Sequence, residues 1–191
     1  MKAPYKTLLV VGVIALLVLA LLFVQRAQDS GPLGGRAGSL VNGPYLFISL
    51  EIDYYSAVNP DPQEVERLLD FIHRYTGKFV SATYTEVSTP FDGTIDGLYS
   101  LARATRDTYS LPAVTLSVPI IYAPGSFGDN PTFRTLGASI DATTIFLFKQ
   151  DIPAGFEDVT RAHEFGHLLG LCGLAMDDPE NVCDGDGHAR D

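Results

Sequence analysis

His163-Glu164-Phe165-Gly166-His167-Leu168-Leu169-Gly170 decides how this chain is read. On a helix, residues four apart share one face about one turn from each other. The spacing therefore lets His163 and His167 aim their imidazole nitrogens at one shared ion. Zinc accepts such ligands and keeps an open position for water when three protein ligands bind. Glu164, next to the first histidine, can reach a water at that position as general base. The chain has only four histidines, the other two being His73 and His188. Two satisfied histidines on an ordinary buried helix would be the alternative, and the specificity of the pattern weighs against it.

The flanking residues predict the helix itself. Glu157 and Asp158 would occupy its first turn, where acidic groups suit the positive end of the helix dipole. Val159 to Leu169 holds no proline, and Phe165, Leu168 and Leu169 can pack inward while the histidines face a cleft. Gly170 suits the position after the last turn, where a left-handed backbone strains other residues.

From His163 to Gly170 the chain resembles the metzincin clan of zinc metallopeptidases, whose pattern is H-E-x-x-H-x-x-G-x-x-H. Gly173 stands where that pattern places its third histidine. Leu50-Glu51-Ile52-Asp53-Tyr54 and Leu98-Tyr99-Ser100-Leu101-Ala102-Arg103 are also similar to segments of membrane-anchored archaeal and bacterial metzincin-like proteins. The resemblance implies Zn2+ at His163 and His167, with Glu164 as the catalytic base. It also implies an edge strand able to pair with an extended peptide. His188 is the first choice for the third metal ligand, with Asp177, Asp178, Cys172 and Cys183 as alternatives. Met176 is the candidate for the methionine turn of that clan. Cys172 and Cys183 could instead form a disulfide, or stay free thiols.

Leu8 to Val24 is an apolar run broken only by Gly12, preceded by Lys2 and Lys6. It is expected to be a transmembrane signal-anchor. The short segment 1–7 would be cytoplasmic and the rest of the chain outside, as a single-pass protein of the cell membrane. A cleaved signal peptide is the rival, though no clean cleavage site follows. Residues 25–42 are rich in glycine and read as a flexible linker. Residues 43–191 are the expected metallopeptidase domain.

From Val41 onward 22 acidic residues face 9 basic ones, a formal charge of −13. Such a field disfavours nucleic acid and anionic lipid as partners, leaving a peptide or protein substrate and the membrane reached through the N-terminal helix.

Within the domain, strands are expected at Tyr45–Ile52, Phe79–Val87, Ala113–Tyr122, Leu136–Ile140 and Thr144–Phe148. Pro119 would place that end of its strand at an edge or bulge, and Leu136–Ile140 is the expected peptide-binding edge. Gln63 to Tyr75 carries Val65, Leu68, Leu69 and Ile72 on one stripe and reads as a helix stopped by Gly77. Leu98 to Asp107 is a second helix, with Asp96 as its expected cap. Alternation of strands and helices predicts a mixed sheet with helices packed on it; the resemblance implies an α+β, metzincin-like mixed twisted sheet, preceded by the transmembrane helix. The activity expected is that of a membrane-anchored zinc-dependent metalloendopeptidase. The alternatives are a catalytically inactive zinc- or peptide-binding ectodomain and a non-peptide amidase.

Overall fold

β1 (Phe47–Tyr54) organises the domain. Its alternation sends Ile48, Leu50 and Ile52 to one face of the sheet and the buried Glu51 and Asp53 to the other. It pairs in parallel with β2 (Phe79–Glu86) on one side and β3 (Thr115–Tyr122) on the other. Parallel neighbours need crossovers, and α2 (Pro62–Thr76) and α3 (Ile95–Thr105) supply them. β5 (Ile145–Leu147) extends β3 in parallel, and β4 (Gly137–Ser139) closes the edge antiparallel to β5. The sheet order is β2-β1-β3-β5-β4. The helix of the His-Glu-His pattern is α4 (Glu157–Leu168), and an N-terminal helix α1 covers Pro4–Asp29. This computed structural model describes residues 4–29, 40–111, 114–125 and 135–169.

The local signals act as the sequence suggests. Asp61 caps α2 by accepting the Gln63 amide at 2.9 Å, and Pro62 pre-sets the first turn. Gly77 ends the helix at φ 67°, its N–H returning to the His73 carbonyl at 2.8 Å. Val65, Leu68 and Ile72 of α2 pack with Ile48, Leu50, Ile52 and with Phe165 and Leu168 of α4. On the opposite face Leu98 and Leu101 of α3 cover Ile121, Phe146 and Phe148. The sheet is thus layered between helices, and β3, buried from Leu116 to Tyr122, reads as a continuous apolar run for that reason.

Three expectations need correction. Among the described residues no helix is long and apolar enough to cross a membrane, which overturns the transmembrane segment at 8–24. The uninterrupted apolar part of the 26-residue α1, Leu8 to Val24, rises about 25 Å at about 1.5 Å per residue, at the short end of what spans a hydrocarbon core. The α+β class with a mixed sheet stands. The cap of α3 is Thr94, whose hydroxyl accepts the Gly97 amide at 3.0 Å, and Asp96 lies inside the first turn. Pro119 sits in the central strand β3, opposite Glu51. The ladder to β5 begins only at Ile120, so among the described residues no strand pairs with the flank of β3 beside Pro119, and a missing donor costs little on that side.

Candidate metal centre

α4 begins without a side-chain cap at Phe156, so other forces fix its start. Glu157 and Asp158 occupy the first turn, as the dipole favours. Arg161, only 1% exposed, reaches Glu157 at 2.8 Å and forms a short ion pair with Glu64 on α2. Arg67 of α2 adds a bond to Asp158 at 2.9 Å. These pairs tie α4 to α2 and fix its rotation. Removing one partner from such a buried pair costs about 3–5 kcal/mol, because the other charge is left uncompensated. The sequence reading missed this clamp, since its partners lie far apart in the chain.

With Phe165 and Leu168 held in the core, His163 and His167 emerge one turn apart. Their Nε2 atoms face each other at 3.2 Å, with the rings edge to face. Two nitrogens each about 2.05 Å from one tetrahedral zinc stand about 3.3 Å apart, so the spacing fits that ion. His163 is exposed, while His167 and Glu164 are buried, and one potential ligand atom from each lies within 4.8 Å of the others. These three residues could hold a metal ion.

Glu164 leans on the edge strand. The Ser139 hydroxyl lies 2.9 Å from both the Glu164 carboxylate Oε2 and its main-chain carbonyl. One hydroxyl hydrogen serves one of these acceptors at a time. Burial pushes the Glu164 carboxyl up to about 7, and the Ser139 hydroxyl and backbone pull it partly back. Gly137, on the same face of β4, leaves the space: a Cβ there would meet Glu164 Cγ at 2.7 Å and Oε1 at 2.8 Å. Neither Ser139 nor Gly137 was singled out from the sequence. The available signal was two small residues at alternate positions of the predicted edge strand.

An open groove of about 410 Å³ runs between that edge and α4, lined by Leu136, Gly137, Phe156, Val159, His163 and Glu164 among others. Its floor is polar at the histidine end and apolar at Phe156 and Val159. The structure thus brings His163, Glu164 and His167 together beside β4. His188, Asp177, Asp178, Cys172, Cys183 and Met176 lie outside the described residues, as do Gly170 and Gly173.

No family model, curated protein or solved structure matches this chain.

Proposed function

We propose that this protein is a zinc-dependent metallopeptidase that cleaves peptide bonds in extended segments of protein substrates. The observation that carries the reading is the pair of imidazole nitrogens 3.2 Å apart, with a buried carboxylate beside them on an edge strand. His163 and His167 would hold the ion with a third ligand from elsewhere, and zinc there supplies a Lewis acid that polarises a carbonyl and acidifies water.

The rest falls to the chain's own groups. Glu164 accepts the proton of the attacking water and delivers it to the departing amine. Ser139 holds one carboxylate oxygen, which leaves the other for the proton. β4 is paired only with β5 among the described residues. Its outer side can therefore receive an extended peptide by strand addition, which would lay a scissile bond across the histidines. Phe156 and Val159 offer an apolar wall for a side chain of that peptide.

Hydrolysis of a peptide library by wild type and Glu164→Gln tests the reading. The variant should keep zinc and lose cleavage. Equal cleavage by both would refute it. A zinc-loaded wild type that binds peptides without cleaving them would favour the inactive binding module, the reading that Gly173 in the third ligand position motivates.

A further inference from the structure

Asp29 ends α1, yet it is buried in the domain rather than hanging from it. Its carboxylate accepts both the backbone amide and the hydroxyl of Ser110, each at 2.9 Å. The Ser110 hydroxyl in turn accepts the amide of Ser117 on β3 at 3.0 Å. On its other side, the main-chain carbonyl of Asp29 accepts the Thr143 hydroxyl at 3.1 Å. Thr143 belongs to the turn between β4 and β5, which Asp141 closes by accepting the amides of Thr143 and Thr144 at 2.9 and 2.7 Å. Arg106, after α3, adds a bond to the Thr143 hydroxyl at 2.7 Å. Four residues before Thr143 stands Ser139, the partner of Glu164.

We propose that Asp29 is a positioning residue for the edge strand: it clamps the end of α1 onto the β4–β5 turn and so holds β4 in the place where Glu164 rests against it. The chain of contacts runs from β3 through Ser110 and Asp29 to Thr143, and by the hairpin to Ser139. β4 needs such support. It is three residues long, pairs on one side only among the described residues, and carries no large side chain of its own. A short edge hairpin is the part of a sheet that opens most readily. The N-terminal helix is then a buttress of the hairpin. The consequence for peptide binding rests on the peptidase reading, but the clamp does not.

Hydrogen exchange followed by mass spectrometry on the full-length chain tests the clamp without needing catalysis. Asp29→Ala should raise exchange of amides 137–147 by about tenfold or more, the loss of hydrogen bonds to a charged group. Amides of the β1–β2 ladder should stay unchanged. Asp29→Asn, which keeps one side-chain acceptor, should fall between wild type and Asp29→Ala. Thr143→Val should reproduce the effect, and the double variant should add little to either single one, since both break one clamp. Unchanged hairpin exchange in Asp29→Ala would overturn the proposal. So would a rise of the same size across the whole sheet, which would mean general destabilisation. If no variant and no wild type cleaves peptide, the peptidase reading fails while the exchange pattern still decides the clamp.

Discussion

Glu164 and Asp53 are both buried carboxyls pushed up to about 7 by burial, and they sit on opposite sides of the question of function. Glu164 has the Ser139 hydroxyl on one oxygen, two imidazoles beside it and a groove in front. Among the described residues neither oxygen of Asp53 has a hydrogen-bond partner, the residue has no exposure, and the nearby carboxylates of Glu51 and Asp107 push it further up. A raised acid is thus a product of burial in both places. What separates them is donors that hold the carboxylate, ligands beside it, and access from solvent.

That contrast breaks first if the wrong acid matters. Glu164→Gln should reduce peptide hydrolysis by about 10²–10⁴-fold, the range for a general acid or base. Asp53→Asn should leave it within about twofold, measured as kcat/KM on the same peptide.

The second test is stability against pH. The Asp53 carboxyl is raised from 3.8 to about 7 in the folded chain, so the unfolded chain gives up its proton first. The stability linked to this group is whole below about pH 4, falls as pH rises toward 7, and is gone above it. Asp53→Asn carries no such loss. It should therefore be more stable than wild type by about 2–4 kcal/mol at pH 8, with the gap closing by pH 4. Urea midpoints at pH 4, 6 and 8 measure this. A gap that widens toward acid would show that Asp53 is ionised in the fold.

Gly137→Ala sharpens the Glu164 side. The added Cβ would overlap Glu164 by several tenths of an ångström, and such a displacement should lower kcat about 10²-fold with little change in thermal midpoint. Ser139→Ala is expected to be smaller, about tenfold in kcat/KM, for one hydrogen bond to a charged acceptor. An effect of Ser139→Ala as large as that of Glu164→Gln would mean that Ser139 itself takes part in the chemistry.

The two acids were not equally legible in the sequence. His163, Glu164 and His167 lie within five residues, and helical geometry alone puts them on one side. The bounds of α2 and the start of α4, the stripe of α2 and the Gly77 stop were readable for the same local reason, whereas α3 begins three residues before the expected Leu98 and the edge position of Leu136–Ile140 came from the resemblance. Asp53 was noticed only as part of a resembling segment, because burial on the second face of β1 depends on how α3 docks. Ser139 on Glu164 and Glu64 on Arg161 are contacts across 25 and 97 residues, which no spacing rule reaches. Thr94 and Asp96 compete for one cap two residues apart, and the hydroxyl won. Pro119 misled because the rule against proline in central strands assumes a ladder on both flanks along the whole strand. The apolar run at 8–24 suggested a membrane span, and among the described residues no helix is long and apolar enough to make one.

Zinc content is the most direct test of the central claim, that α4 carries a metal centre. Wild type, His163→Ala and His167→Ala would each be dialysed against zinc and then buffer, and measured by mass spectrometry of the intact full-length chain. The account predicts one zinc per chain in the wild type and almost none in either variant. A wild type without zinc, or variants that keep it, would contradict the metal centre and the peptidase reading built on it.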